Sequence, residues 1–258
     1  PGAIFWMWIT GVFGIATKYS ETLIAVKYRV KDHNGNMLGG AMYALQRGFK
    51  RKKLGKVLGI LFAVFAAIAS FGIGAAVQAN SLSGAIVSVS GSAGIAEANI
   101  DVFGLFMTSP LQIIVGIILV VLIAVVIVGG IKVISRVCEK LIPAMTIFYV
   151  LACLVLIIIN GQYFLDAIGL IVVCAFTPQA AFGGAVGTSI MIALQLGCAR
   201  GLFSNESGLG SSPLVASSAI TRNPARQALV SMTGTFWDTV VVCALTGIAL
   251  VSSILARP

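Results

Sequence analysis

The chain has 258 residues, of which 59% are hydrophobic and 10% charged, and a formal net charge of +9. Its mean hydropathy of +1.04 leaves too little polar surface to cover a water-soluble globule, so a bilayer is the expected solvent. The basic excess sits between long apolar runs and not on one face of a soluble domain, which argues against nucleic acid as a partner.

A membrane-spanning helix needs about 20 mostly apolar residues. Runs of that kind predict six helices, at roughly 2–26, 56–80, 111–131, 141–160, 164–197 and 227–253, in an all-α integral membrane protein. The chain reads as a single transmembrane domain over 1–258, with no soluble domain and no short-period repeat. It opens on apolar sequence without an initiator Met or a cleavable leader, which reads as a chain incomplete at its ends.

The first predicted helix carries Lys18 and Glu21 near its end, three residues apart, as a local ion pair with the lysine stem snorkelling to the interface. The connection after it holds Lys27, Arg29, Lys31, Arg47, Lys50, Arg51, Lys52, Lys53 and Lys56, nine cations that assign it to the cytoplasm. His33, the sole histidine, lies there too, so neither a catalytic triad nor a His-rich metal site is available. Strict alternation then puts Lys132, Arg136 and Lys140 inside, followed by Arg200, Arg222 and Arg226, with 81–110 outside.

The second helix reads ASFGIGAAVQANS, where Gly72 and Gly74 permit close backbone approach. Gln78 and Asn80 bring amides into an apolar run, to hold a polar ligand or to bond a neighbouring helix.

The fifth stretch is too long for one span, and its middle reads CAFTPQAAFGGAVGTS, with Pro178, Gly183, Gly184 and Gly187. This composition predicts a discontinuous helix whose freed backbone groups line a polar cavity, with Thr177, Gln179 and Thr188 as side-chain contacts. A kinked helix with glycines for close packing is the alternative.

The loop ARGLFSNESGLGSSPLVASSAITRNPARQ surrounds Glu206 with Gly, Ser and Asn, as a gate, a re-entrant turn or a capped loop. Its GLGSS lacks the lysine and the strand context of a phosphate-binding loop. The sixth helix places Asp238 twelve residues, about 18 Å, from Arg226, near mid-membrane. Such a carboxylate asks for a partner: a cation, with Thr235 and Thr239 adding hydroxyls, a proton, or a bond to another helix. The five cysteines form no CxxC pair and read as packing residues.

The run FWMWITGVFGIATKYSETLIAVKYRVKD, with Phe5, Trp6, Met7 and Trp8 most distinctive, resembles the signature of the alanine or glycine:cation (sodium:alanine) symporter family. The resemblance continues in order through GGAMYAL, SFGIGAAVQANS, GGIKVISRVCEKLIP, AFTPQAA, ARGLFSNESGLGSSP and FWDT. It implies a LeuT-like fold of inverted repeats, with this chain corresponding to helices two through seven of a longer protein and lacking the first and eighth helices. It also implies Na⁺ as coupling ion, alanine or glycine as substrate, no further cofactor, no enzymatic activity and a bacterial plasma-membrane location. Carried over, Gln78, Phe176, Thr177, Gly183 and Gly184 would contact the amino acid, while Thr177, Thr235, Asp238 and Thr239 remain candidate cation ligands. A channel or an H⁺-coupled amino-acid transporter would use similar residues. An intramembrane enzyme lacks a catalytic pair.

Overall fold

A computed structural model describes the chain except for residues 34, 73–74, 93–99, 103–105, 178–188 and 257–258. Eleven α-helices and two short hairpins are found among the described residues. The chain divides into two compact units, Pro1–Ala63 with Ile147–Pro258, and Val64–Thr146.

The first unit is organised around α1 (Gly2–Lys27), which contacts α7 (Phe164–Phe176), α8 (Ser189–Asn205), α9 (Ser212–Ala216), α10 (Pro224–Thr235) and α11 (Cys243–Ala256). Small residues make this centrality possible. A Cβ on Gly11 would lie 2.8 Å from Thr239 Cγ2, and one on Gly201 would lie 3.1 Å from Thr10 Cβ, so these helices approach too closely for larger residues. The contacts fix direction: Gly11 meets Thr239 and Gly14 meets Thr235, so α10 and its continuation run antiparallel to α1. Gly197 meets Ala3 and Trp6, and Gly201 meets Thr10, so α8 runs parallel to it. These directions are the ones that alternating basic segments require.

A dry core lies where Ala167, Ile171 and Val251 pack against Ile4, Phe5, Trp8 and Ile248. Helix α10 begins where Asn223 caps it, its side-chain oxygen accepting from the N–H groups of Ala225 at 2.9 Å and Arg226 at 3.4 Å, with Pro224 at the first helical position. Between α10 and α11 the chain adopts a π-helical segment, Phe236–Val242, with the Cys243 N–H bonded to the Asp238 carbonyl five residues back.

The connection after α1 is ordered as a two-stranded antiparallel hairpin, β1 (Val30–Lys31) with β2 (Met37–Leu38), then α2 (Ala41–Gly48). The Arg29 guanidinium holds it to the far loop by donating to the carbonyls of Ser217 at 3.0 Å, Ala219 at 2.6 Å and Thr221.

In the second unit, α4 (Ala75–Ser92) packs on α5 (Pro110–Val128). Hairpin β3 (Ile100–Val102) with β4 (Phe106–Thr108) precedes Ser109, which caps α5 by accepting from the Gln112 N–H at 3.2 Å. Helix α3 (Lys52–Ser70) ends at the close of the first 70 residues, and α6 (Gly130–Ile159) carries Pro143 inside it.

One expectation changes. The single helix expected at 56–80 is two, because α3 stops at Ser70 and α4 starts at Ala75. Gly72 follows the helix end there, its N–H bonded to the Ala69 carbonyl at 3.2 Å, and glycine carries the largest entropic cost of helix propagation after proline's steric one. In 164–197, α7 ends at Phe176, where Thr177 turns to φ −108° and ψ 135°, and α8 is described from Ser189, while the expected broken segment with Pro178, Gln179, Gly183, Gly184, Gly187 and Thr188 lies outside the described residues. By length and composition, four described stretches can cross a membrane: Lys52–Ser70, Pro110–Val128, Val133–Ile159 and Pro224–Ala256. They expose apolar side chains such as Ile60, Val120, Phe148 and Leu250, as lipid contact requires.

Candidate functional site

Polar side chains converge on the glycine face of α1. Thr239 and Thr235 are fully buried against Gly11 and Gly14, one turn apart. Beside them Asp238 Oδ2 accepts from Ser204 Oγ at 2.6 Å and from Thr239 Oγ1 at 3.1 Å. Thr235 Oγ1 lies 3.4 Å from Ser207 Oγ, and a Cβ on Gly14 would touch Asn205 Nδ2, Thr235 Cγ2 and Ser207 Oγ within 3.4 Å. The sequence thus supplies small residues on one helix and hydroxyls on the two that flank it. The result is a cluster of hard oxygen donors that runs from buried Thr235, Thr239 and Ser207 to half-buried Asp238 and exposed Ser204.

The turn after α8 completes the cluster. Glu206 takes a left-handed conformation at φ 52°, ending the helix with its N–H on the Leu202 carbonyl at 3.0 Å. Ser211 Oγ then donates to Glu206 Oε2 at 2.9 Å, and Asn205 Oδ1 accepts from the Ser207 N–H at 2.9 Å. Lys18 does not snorkel as expected: it is buried, and its ammonium donates to the Asn205 carbonyl at 2.7 Å. It lies within electrostatic reach of Glu206, Glu21 and Asp238, so the lysine brings positive charge to the cluster. Several buried atoms here, Glu21 Oε2, Thr22 Oγ1 and Asn205 Nδ2, find no hydrogen-bond partner among the described residues. Unmatched polar atoms in a buried setting are costly unless a ligand or water meets them.

A second locus lies at the opposite end of α1. The Phe176 ring sits edge-on to Phe5 at 5.0 Å and to Trp6 at 5.6 Å, and Trp6 Nε1 donates to the Ala175 carbonyl at 3.2 Å. That carbonyl is in the last turn of α7, where backbone acceptors lose their helical donors. Thr177 bonds back to the Val173 carbonyl at 2.6 Å. Trp6 and Gly11 are five residues apart, so the two loci stand about 8 Å apart along α1.

The structure therefore brings Thr235, Asp238 and Thr239 together and gathers Phe176 and Thr177 at the other locus. Gln78 is exposed on α4 in the second unit, and Gly183 and Gly184 lie outside the described residues. Ser204, Asn205, Ser207, Lys18 and Trp6 were not singled out as site residues by sequence. The available signals were the polar SNES run closing an apolar helix and the paired glycines of α1. No group of three or more His, Cys, Asp or Glu suited to a resident metal is found among the described residues.

A family model described as the sodium:alanine symporter family matches residues 1–257. The chain belongs to that family. It is 48% identical over 250 residues to the sodium/alanine symporter AgcS of Methanococcus maripaludis, covering 97% of this chain and 50% of that protein. An uncharacterized transporter of Haemophilus influenzae is 48% identical over 252 residues, covering 97% and 50%. A probable sodium/glutamine symporter, GlnT of Bacillus subtilis, is 33% identical over 254 residues, covering 98% and 47%. This family member spans about half the length of the curated relatives it matches. With its apolar helices, it is a multi-pass membrane protein.

Proposed function

We propose that the chain is part of a Na⁺-coupled symporter that carries a small neutral amino acid, alanine or glycine, across the plasma membrane by alternating access. The observation that carries this reading is the oxygen cluster in which buried Thr235, Thr239 and Ser207 lie against the glycine face of α1 beside half-buried Asp238 and its exposed partner Ser204, in a member of a sodium symporter family. Carboxylate and hydroxyl oxygens suit a hard cation, and a membrane-embedded carboxylate is retained where an ion or proton needs it. In this reading Asp238, Thr239 and Thr235 ligate Na⁺, while Thr177, at the other locus, contacts the amino acid.

The amino acid would lie at the end of α7, where the interrupted helix frees backbone groups and Phe176, Phe5 and Trp6 supply an apolar wall. The family resemblance adds Gly183 and Gly184 to the proposed contacts of the amino acid, within a LeuT-like fold. A small pocket selects by excluded volume, and one methylene is worth only about 1 to 3 kcal/mol, so alanine and glycine are both carried. The reaction needs no covalent step: binding of both solutes shifts an equilibrium between outward and inward openings.

Uptake of labelled alanine and glycine into proteoliposomes tests the reading, comparing this chain with one extended to the length of its relatives. Saturable uptake driven by an imposed Na⁺ gradient is the expected result. Uptake driven equally by H⁺ would replace the coupling ion, and non-saturating flux independent of either gradient would support a channel.

A further inference from the structure

Between Asp32 and Glu97 the sequence contains no acidic residue, yet ten positions within that interval hold Arg47, Lys50, Arg51, Lys52, Lys53 and Lys56. All six are exposed, and the hydrogen bond found for them runs from Lys52 Nζ to the Arg47 carbonyl at 2.9 Å. Lys52 and Lys53 open α3, whose first turn has no acidic residue, so they sit where the helix dipole disfavours cations. The same helix is apolar enough to cross a membrane and turns Leu54, Val57 and Ile60 outward, which sets the basic collar at the level of lipid headgroups.

Next to this collar lies an apolar pocket of about 550 Å³ between the end of α1 and α2, walled by Ile24, Ala41, Ala44, Leu45 and Phe49. Gly48 and Phe49 lead directly from its wall to Lys50, and Lys27 and Tyr28 also line it. Glu21 is the carboxylate among its described lining residues, and it lies six residues, about 9 Å, deeper along α1 than Lys27. Cations at the rim and hydrocarbon within match the two halves of one molecule.

We propose that this corner is a binding site for an anionic phospholipid, with one acyl chain in the pocket and the phosphate on the basic rim. A topology signal alone needs cations on one side of the membrane, but it needs neither their concentration in ten residues nor an adjoining apolar pocket. The inference depends on the protein being membrane-embedded and not on what it transports.

Native mass spectrometry of the purified protein in neutral detergent tests it, using phosphatidylglycerol and phosphatidylcholine with identical chains, and soluble glycerol phosphate. Phosphatidylglycerol should be retained about tenfold more than phosphatidylcholine. Joint Lys50→Gln, Arg51→Gln, Lys52→Gln and Lys53→Gln replacement should remove the preference, since these exposed side chains do not hold the fold. Ala44→Trp, with Ala44→Leu as a smaller filler if helicity falls, should reduce retention of both lipids. Equal retention of the two lipids by the unaltered protein would overturn the site and leave the cations as topology signals. Glycerol phosphate competing as well as phosphatidylglycerol, or unchanged retention in folded Ala44 variants, would overturn the acyl-chain pocket.

Discussion

Helices α1 and α5 are both long enough to cross a bilayer, yet they spend their surfaces in opposite ways. The α5 stretch has a mean hydropathy of 3.4, contains no acidic or basic residue and buries none of its own side chains. The α1 helix is not among the four stretches apolar enough to span by composition, but it buries Lys18, Thr22, Gly11 and Gly14 and touches α2, α7, α8, α9, α10 and α11 of its unit. Hydropathy measures what a helix shows to lipid. The helix that builds the site is the one whose polar and small residues lower that measure, because they face protein.

The comparison breaks most severely if α1 tolerates change as α5 does. Lys18→Met removes one partner of a buried charged hydrogen bond and strands the Asn205 carbonyl and nearby carboxylates, so a loss of about 3 kcal/mol is expected in detergent unfolding. Gly11→Val forces a side chain into the 2.8 Å gap to Thr239, and overpacking should cost about 2 kcal/mol by the same measurement. Trp6→Phe keeps the ring contacts with Phe176 but removes the donor to the Ala175 carbonyl, with an expected loss of about 1 kcal/mol. Val120→Ala on α5, at a position 67% exposed to lipid, should change stability by less than about 0.5 kcal/mol. Losses in α5 equal to those in α1 would erase the distinction.

Much of the fold was legible because long apolar runs and their basic flanks are local signals. Asp238 with Thr235 and Thr239 was legible for the same reason, being neighbours on one helix. The partners were not. Lys18 meets Asn205 across 187 positions and Trp6 meets Ala175 across 169, and no periodicity carries such pairings. Asp238 does bond another helix, through Ser204, which was one of the open readings. The end of α3 was misplaced because the glycines of SFGIG suit both close packing and termination, and hydropathy continues across them. The order of the connection after α1 was hidden too, since Arg29 reads in sequence as one cation among nine and in space as the donor that gathers three carbonyls.

If the oxygens around Asp238 hold the coupling cation, as proposed, the Na⁺ dependence of alanine uptake rests on that carboxylate. Asp238→Asn, placed in a chain extended to the relatives' length and reconstituted in proteoliposomes, keeps the shape of the side chain and removes its charge. Half-activation should move to Na⁺ concentrations about tenfold higher, equivalent to about 1.4 kcal/mol of lost cation binding. Unchanged Na⁺ activation with normal uptake would contradict the assignment and place the cation elsewhere.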